Sequence, residues 1–208
     1  MGNPRGNAMN TIEESVKKTL LMEGQSILEI MEALDCAAVE QLVGLLVNCR
    51  GRVYVAGCGT SGAAAKKIVH TLNCVERSAA YLNPADAVHG GLGMVQQEDI
   101  VILISKGGNT PELTKLVPGC KQKGASVVAV TENCDSELAQ GSDILLKIRV
   151  AREPDRFNML ATSSTLAVIA VFDSIAICVM DRNGFTKEKF SVIHPGGAVG
   201  ERLLSGKE

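Results

Sequence analysis

The side chains best suited to chemistry lie in residues 101–112, VILISKGGNTPE. Four apolar residues predict a strand buried on both faces, and the chain then turns before a helix that begins near Pro111. The glycines, the hydroxyls and the positive end of that helix together suit a small anion. A strand-to-helix turn without a ligand explains the same residues, and this stretch alone favours neither interpretation. The residues that could contact an anion here are Ser105, Lys106, Gly108, Asn109 and Thr110.

A second glycine-rich turn, GCGTSG at residues 57–62, follows another predicted strand. It has the G-x-G-x-x-G spacing of dinucleotide-binding folds, which also need an acidic residue about 20 positions further on. The strand at that distance ends in Asn83, and the Lys of a Walker sequence is absent as well. The turn therefore fits a phosphate monoester or sugar hydroxyls better, through Gly59, Thr60 and Ser61. Cys58 within it is either an activated thiol or, as we favour, a small residue in a tight turn.

Two of the three histidines, His89 and His194, lie in the glycine-rich segments VHGG and IHPGG. A histidine in so flexible a setting gains little packing, so we favour a functional role for both. His70 lies inside a predicted helix, where a surface or core position is the simpler interpretation. No spacing of His, Cys or carboxylate residues predicts a metal site, and neither a metal nor another cofactor is expected.

Two carboxylates and a hydroxyl run lie near the predicted strand ends. Glu112 follows the turn at residues 105–110, and Glu153 follows the fifth predicted strand in a polar loop. A glutamate in that position could act as a general base, or it could be a solvated loop charge. The sequence TSST at residues 162–165 opens a long apolar segment, so Ser163 and Ser164 either cap a helix or donate hydrogen bonds to a ligand.

Composition limits the class of protein. The 208 residues suit one globular domain, and with 46% hydrophobic but only 3% aromatic residues its core must be aliphatic. The formal net charge of −2 argues against nucleic acid as a partner. Seven cysteines without a C-x-x-C pair or a secretory signal indicate reduced thiols and a cytoplasmic protein. Residues 1–9 have no apolar signal core, and we expect them to be a disordered leader.

Hydrophobic periodicity orders the elements. Two amphipathic helices, at residues 10–34 and 36–48, precede five short apolar strands that alternate with helices. The strands are predicted at residues 52–56, 79–82, 100–104, 127–130 and 144–148, and the helices between them at residues 61–74, 85–90, 113–123 and 136–141. The apolar run at residues 166–180 is interrupted by Asp173 and is shorter than the roughly 20 residues of a bilayer span. We predict that it is a central buried helix and that no membrane is involved.

This alternation predicts an α/β protein: a three-layer αβα sandwich with a five-stranded parallel sheet, plus the N-terminal helices. In such sheets ligands bind outside the carboxyl ends of the strands, where the strand order reverses. The turns at residues 57–62, 83–89, 105–110 and 131–135 should therefore open on one edge of the sheet. Weak signals that are spread along the sequence thus combine into one candidate ligand site.

Five ordered segments resemble a known family. They are residues 57–62, PADAVHGGLG at 84–93, residues 104–112, residues 161–165 and HPGGAVG at 194–200. Together they resemble a sugar isomerase (SIS) domain, most closely the arabinose-5-phosphate isomerase branch, from about residue 16 to residue 204. The resemblance implies a flavodoxin- or Rossmann-like single domain, residues 10–204; as a departure from that branch, we do not expect the tandem CBS domains that are common in it. It also implies a sugar-phosphate substrate and a homodimer or homotetramer with sites between subunits.

The resemblance further implies roles for individual residues. Aldose–ketose isomerisation would proceed by ring opening, removal of the proton next to the carbonyl and reprotonation of a cis-enediolate. We predict Glu153 as the base and His194 as the residue that assists ring opening, in its own or a neighbouring subunit's site. His89 or Glu112 would position hydroxyls, and arabinose 5-phosphate with ribulose 5-phosphate is the leading substrate pair. The implied phosphate ligands are Ser61, Ser105 and Thr110.

Two positions depart from that branch. Thr60 stands where its first loop usually has Lys, as in glucosamine-6-phosphate-synthase isomerase domains, and Gly107 stands where its second loop usually has Ser. Lys106 would supply the phosphate with a positive charge in place of the missing Lys. Three functions therefore stay open: a sugar-phosphate isomerase, including one for amino-sugar phosphates; a sensor module that binds a sugar phosphate without turnover; and a nucleotide-binding Rossmann protein. The missing acidic residue disfavours the third.

Overall fold

The computed structural model describes residues 11–196, so the predicted leader and the part of the predicted domain beyond residue 196 lie outside it. Its centre is one five-stranded sheet in which all neighbouring strands run parallel. The strands are β1 Val53–Gly57, β2 Ala79–Tyr81, β3 Ile100–Ile104, β4 Ser126–Thr131 and β5 Ile144–Lys147, in the order β2-β1-β3-β4-β5. The chain moves outward from β1 to β2 and then returns to β3, so the strand order reverses between β1 and β3.

Helices cover both faces of the sheet. They are α1 Ile12–Ala33, α2 Cys36–Asn48, α3 Gly59–Cys74, α4 Pro84–Ala87, α5 Pro111–Thr114, α6 Leu116–Gln122, α7 Glu137–Gly141, α8 Ser163–Arg182 and α9 Lys187–Ile193, with a 3₁₀ helix at Gly91–Met94. Val53 and Val55 of β1 share one core with α1, α2, α3 and α8, whereas Tyr54 and Ala56 share the other with α4 to α7. The predicted three-layer αβα sandwich with its N-terminal helices is confirmed.

Local sequence explains how these elements form. Thr11 and Glu14 make a capping box at the start of α1, and the carboxylate of Asp35 accepts two backbone N–H groups at the start of α2. Ser136 caps α7 in the same way. All five residues of β3 are buried because helices lie on both of its faces, which is why its sequence is a continuous apolar run.

The predicted strands agree with the structure to within one residue at each end, but several helix bounds differ. α3 begins at Gly59, two residues before the prediction, because Cys58 is extended and serves as its N-cap. The helix predicted at residues 85–90 ends at Ala87, and the one predicted at 113–123 begins at Pro111 and is divided at Lys115. α9 is absent from the prediction because none of its residues is buried, so its sequence has no core-facing stripe.

The helix predicted at residues 166–180 is longer and less buried than expected. α8 has 20 residues, and among the described helices it alone has the length and apolar composition to cross a bilayer. In the fold it packs against α3, α1 and α2 through a stripe that includes Ala167, Phe172 and Ile175. Ile177 is 56% exposed, so the prediction of a central buried helix is wrong. α8 is an outer-layer helix with one buried face.

Candidate active site

The turn at residues 105–110 is a compact hydrogen-bonded loop at the carboxyl end of β3. Ser105 is buried, and its Oγ accepts a hydrogen bond from the backbone N–H of Gly108 (3.1 Å) and shares another with Thr110 Oγ1 (2.8 Å). Gly108 has a φ of +73°, and a Cβ at this position would lie 2.0 Å from Ser136 Oγ. The turn therefore holds its hydroxyls in one fixed arrangement that only glycine at position 108 permits.

Two glycines of the turn at residues 57–62 allow β1 and α3 to pack closely. A Cβ on Gly57 would lie 2.7 Å from the backbone of Ser61, and one on Gly62 would lie 2.7 Å from the carbonyl oxygen of Gly57. Tyr81, at the end of β2, donates its hydroxyl to that same carbonyl oxygen (2.9 Å). This approach sets the first turn of α3, which carries Thr60 and Ser61, against the end of β1.

A cavity of about 90 Å³ lies between the first turns of α3 and α8. Its polar lining consists of Thr60, Ser61, Lys106, Thr131, Ser164 and Thr165, and its apolar lining of Ala64, Ile104, Val130, Ile148, Ala161 and Val168. Among these described lining residues, Lys106 carries the only charge. Small-molecule pockets usually measure roughly 300–1,000 Å³. The cavity within this single chain is therefore small for a whole sugar phosphate.

Glu153 lies beside this cavity, outside its lining, and is 0% exposed. One carboxylate oxygen, Oε1, accepts a hydrogen bond from Lys106 Nζ at 3.0 Å. The other, Oε2, accepts from the backbone N–H groups of Thr162 (3.0 Å) and Ser164 (3.4 Å) at the start of α8. The backbone N–H of Glu153 donates to Asn158 Oδ1 (2.6 Å). The carboxylate thus occupies the positive end of α8, where an anion is stabilised.

Opposing effects set the pKa of Glu153. Burial raises it because a buried carboxylate loses its hydration, but hydrogen bonds from Ser164, Lys106 and Thr162, with the charge of Lys106, hold the pKa below its usual value. The carboxylate is therefore ionised at neutral pH. The alternative of a solvated loop charge is wrong, because this side chain has no exposed surface.

The hydroxyl run at residues 162–165 contributes to this arrangement in different ways. Ser164 and Thr165 line the cavity, and the backbone N–H groups of Thr162 and Ser164 bind Glu153. Thr162 makes no side-chain capping hydrogen bond to α8. Ser163 is 1% exposed and lies outside the cavity lining, and its hydroxyl has no hydrogen-bond partner among the described residues. The carboxylate of Glu153, and not a hydroxyl, thus caps the start of α8.

Of the fourteen predicted site residues, four line the cavity, namely Thr60, Ser61, Lys106 and Ser164, and ten do not; the ten include His89, Glu112, His194 and Asn109. His89 and Glu112 are exposed, one in the loop after α4 and the other in α5. His194, just after α9, stacks on Phe190 with ring centroids 4.0 Å apart, and its Nδ1 lies 3.1 Å from the Phe190 carbonyl oxygen. Asn109 Oδ1 accepts a backbone N–H at the start of α7 (2.9 Å). Within residues 11–196, the fold brings together the two turns, Glu153 and the start of α8, but not the side chains of His89, Glu112, His194 and Asn109.

The thiol of Cys58 is disfavoured as a thiolate. Partial desolvation and, to a smaller degree, the negative charge of Glu112 raise the pKa of this exposed cysteine, so the thiolate fraction at neutral pH falls. This direction favours the interpretation of Cys58 as a small residue in a tight turn. The influence of Glu112 on this thiol also indicates that α5 and the first turn are near neighbours at the sheet edge.

Three contributing residues were missed by the sequence-based prediction. Thr131 lines the cavity, and its Oγ1 donates a hydrogen bond to the carbonyl oxygen of Lys106 (2.8 Å). Thr165 lines the cavity as well. Both could have been found, because one begins the predicted turn at residues 131–135 on the ligand edge and the other belongs to the hydroxyl run. Asn158, which holds the backbone of Glu153 with a φ of +58°, carries no sequence signal.

Comparison with known families identifies the class of protein. The model of the SIS domain matches residues 45–178, which contain all five strands, both glycine-bearing turns and most of α8. The chain belongs to the SIS domain family. This assignment confirms the resemblance that the five sequence segments indicate.

Within this family the chain is similar to arabinose 5-phosphate isomerases. It is 37% identical over 191 residues to "Arabinose 5-phosphate isomerase KpsF" of Escherichia coli, a match that covers 92% of this chain and 60% of that protein. The chain thus spans about 60% of the length of the curated relatives it matches.

Solved structures agree with this similarity. A Listeria monocytogenes protein provisionally called a sugar-phosphate isomerase is 51% identical, with a TM-score of 0.88, and the match covers 91% of this chain and 100% of that one. The c3406 protein of E. coli CFT073 in complex with arabinose 5-phosphate is 30% identical, with a TM-score of 0.85, and the match covers 90% of this chain and 100% of that one. Both superpose over nearly the whole SIS domain.

Proposed function

We propose that the protein is a sugar-phosphate isomerase that interconverts arabinose 5-phosphate and ribulose 5-phosphate. The observation that carries this proposal is the ionised Glu153 carboxylate, held by Lys106 and two backbone N–H groups beside a hydroxyl-lined cavity. The relatives support the choice of substrate, since KpsF is named an arabinose 5-phosphate isomerase and c3406 was solved with arabinose 5-phosphate. The reaction moves protons only, so the proposal includes no cofactor.

The substrate phosphate would bind where the two turns meet at the sheet edge. The first backbone N–H groups of α3 have no partner within the helix and favour an anion. The hydroxyls of Ser61, Ser105 and Thr110 add donors, and Lys106 adds a positive charge beside them. Ser163 and Ser164 would lie nearer the sugar. The full set of proposed phosphate-binding residues is Gly59, Thr60, Ser61, Ser105, Lys106, Gly108, Asn109 and Thr110.

Glu153 is the proposed base. After ring opening, its carboxylate would take the proton from C2 of the aldose, so that a C–H bond breaks, an O–H bond forms and the electron pair enters a cis-enediolate. Return of this proton to C1, with transfer of a proton from O2 to O1, gives the ketose. No oxidant or reductant is needed. The hydrogen bonds that fix Glu153 would hold the base in one orientation and so favour this step.

We further propose that a second copy of the chain completes the site, in a homodimer or homotetramer. The cavity within one chain is small, and α9, which leads into His194, buries none of its residues. α1 leaves Ile12, Leu20 and Leu21 exposed by 86%, 63% and 72%, an apolar surface of the kind that subunit contacts cover. His194 would then assist ring opening in the partner's site, while the exposed His89 and Glu112 bind sugar hydroxyls.

Mixed oligomers test this assembly. His194→Ala and Glu153→Gln subunits, each of very low activity alone, are expected to regain activity when they are unfolded together and refolded. A shared site then forms from one intact Glu153 and one intact His194, so random mixing should restore about a quarter of wild-type activity. The rate of isomerisation and the mass from light scattering are measured on the same sample. An oligomer of the expected mass without recovered activity would contradict the trans role of His194.

A sensor module is the second candidate, and one observation favours it: Thr60 lines the cavity where the resembled branch usually has Lys. An isomerase for amino-sugar phosphates would use the same groups on a different sugar. We propose a cytoplasmic location with any of these functions, because all seven cysteines are free thiols.

Proton NMR in D2O tests the proposed function. The protein is incubated with arabinose 5-phosphate, ribulose 5-phosphate and, as the amino-sugar probe, glucosamine 6-phosphate. We expect deuterium to appear at the carbon next to the carbonyl of the pentose phosphates, together with their interconversion. Deuterium exchange in glucosamine 6-phosphate alone would indicate that the substrate is an amino-sugar phosphate. Saturable binding of all three without exchange would establish the sensor and contradict the isomerase.

A further inference from the structure

We propose that Lys106 changes partner when the substrate binds: it releases Glu153, binds the phosphate and thereby uncovers the carboxylate oxygen that acts as the base. This inference rests on the proposed isomerase function. It gives Lys106 a positioning role: binding of the phosphate by Lys106 frees the Glu153 carboxylate to accept a proton. Four observations carry it: the unequal contacts of the two carboxylate oxygens, the place of Lys106 in the cavity, the partial exposure of its side chain and the local charge.

The two carboxylate oxygens of Glu153 are held differently. Oε2 is fixed by two backbone N–H groups at the start of α8, which cannot leave without unwinding the helix. Oε1 accepts a hydrogen bond from the side chain of Lys106 at 3.0 Å, and the hydroxyl of Ser164 adds a further hydrogen bond to the carboxylate. One oxygen is therefore a permanent anchor, whereas the other is covered by a group that can move. Only Oε1 could accept a proton without disturbing the fold.

Lys106 stands between Glu153 and the cavity. Its side chain lines the cavity and is 42% exposed, whereas that of Glu153 is 0% exposed and outside the lining. The backbone of Lys106 is held in place, because its carbonyl oxygen accepts hydrogen bonds from Thr131 Oγ1 (2.8 Å) and from the backbone N–H of Glu132 (3.1 Å). The ammonium group on its flexible four-carbon stem can therefore move while the loop stays fixed.

A phosphate would compete well for this ammonium group. It carries up to two negative charges against one on Glu153, and the other described polar groups of the lining are neutral hydroxyls. While Lys106 is bound, its hydrogen bond and its positive charge both lower the pKa of Glu153. Departure of Lys106 removes both effects. The pKa of the carboxyl then rises, and a less acidic carboxyl is a stronger base near neutral pH. Without a phosphate the base stays covered, so a sugar that lacks one is a poor substrate.

The other described charged residues near Lys106 and Glu153 make hydrogen bonds with backbone groups and do not bind the Glu153 carboxylate. Arg152 Nε donates to the backbone carbonyl oxygen of Glu153 at 3.4 Å and does not bind its carboxylate. Asp155 accepts the backbone N–H groups of residues 157, 159 and 160 within its own loop. Glu132 meets Lys106 through a backbone hydrogen bond. Among the described charged residues, Lys106 is therefore the one whose charge lowers the pKa of Glu153.

Carbon-13 NMR of the full chain labelled at the glutamate carboxyls tests the exchange of partners without any need for turnover. The Glu153 signal is assigned by its loss in Glu153→Gln, and its pKa is measured with and without saturating inorganic phosphate. We expect phosphate to raise the pKa of Glu153 in the wild type. In Lys106→Met the pKa should already be raised and should respond much less than in the wild type, because only the repulsion between the two anions remains, although shifts of the Ser61 and Gly108 amide signals report that phosphate is bound.

Two further variants sharpen the result. Lys121→Met is the matched control, because Lys121 pairs with Asp143, a carboxylate that also accepts a backbone N–H, outside the cavity lining. It should leave the response of Glu153 to phosphate unchanged. Lys106→Arg keeps the charge and should restore much of the response. If bound phosphate leaves the pKa of Glu153 unchanged in the wild type, or if Lys106→Met behaves like the wild type, the proposed exchange is wrong.

Turnover separates this inference from the proposed function. If the wild type isomerises arabinose 5-phosphate, Lys106→Met should lower kcat/KM by about 10²-fold and move the acidic limb of its pH profile to higher pH. An unchanged pH profile in an active Lys106→Met protein would overturn the inference and leave the isomerase intact. A phosphate response of Glu153 in a protein that exchanges no deuterium would overturn the isomerase and leave the coupling intact.

Discussion

Glu153→Gln is expected to lower the turnover of arabinose 5-phosphate by about 10²–10⁴-fold, the range typical of a lost general base. The amide keeps the size of the side chain, and its oxygen can still accept the backbone N–H groups of Thr162 and Ser164. It cannot accept a proton from carbon at neutral pH. Because the phosphate contacts remain, KM should change far less than kcat, and deuterium exchange into the substrate should fall with kcat. Steady-state kinetics and proton NMR on one preparation measure both.

Asp143→Asn provides the matched control for this substitution. The Asp143 carboxylate also pairs with a lysine, Lys121, and accepts the backbone N–H of Val127 (2.8 Å), but it lies at the amino end of β5, away from the ligand edge. The variant should keep wild-type turnover while it loses a lysine–carboxylate ion pair, although this pair is more exposed than that of Glu153. If Glu153→Gln retained full turnover, the base would have to be another group, and the exposed His89 and Glu112 would be the next residues to test.

Gly108→Ala is expected to destabilise the protein by about 2–5 kcal/mol. The residue has a φ of +73°, and a Cβ there would lie 2.0 Å from Ser136 Oγ and 2.9 Å from Thr131 Oγ1. Ser136 caps α7, so pushing it aside also weakens that helix. In thermal unfolding followed by circular dichroism, Tm should fall by roughly 5–15 °C. Activity should fall as well, because the same turn fixes Ser105 and Lys106.

Gly107→Ala is the control for the glycine turn. No heavy atom lies within 4 Å of the position that its Cβ would take, and Gly107 is not among the positive-φ glycines. The substitution should therefore change Tm by less than about 2 °C. Equal losses of stability in the two variants would show that the turn is strained throughout, against the account in which position 108 alone requires glycine.

The sheet could be predicted because the burial of each strand is visible in the strand's own sequence. β1, β3 and β4 are covered on both faces, so each appears as an unbroken apolar run with a polar turn after it. The meeting of the two glycine-bearing turns could also be predicted, since parallel strands place their carboxyl ends on one edge. The structural role of the glycines in the turn at residues 57–62 could not be predicted. Gly57 and Gly62 match a nucleotide-loop spacing, but here they serve the approach of α3 to β1.

The contacts of the candidate site depend on distances that no sequence pattern encodes. Lys106 and Glu153 are 47 positions apart and belong to different loops, so neither hydrophobic periodicity nor a motif predicts their ion pair. Glu153 could be proposed as a base from its place after a strand, but its complete burial follows from the fold of residues 153–162 around it. His194 was proposed from its glycine-rich setting, and its surroundings depend on what covers α9, which buries no residue in this chain.

The cavity joins the first and last thirds of the chain, which has a consequence for biosynthesis. Thr60 and Ser61 come from α3, whereas Ser164 and Thr165 come from α8, and the ion pair of Lys67 with Asp173 joins the same two helices across 106 positions. Among the strands of residues 11–196 no pair is a hairpin, so each pairing waits for a crossover segment to be made. On the ribosome the two turns can form before α8 has emerged, but the cavity cannot. The ligand site is therefore among the last features to form, and a substrate can bind only a nearly finished domain.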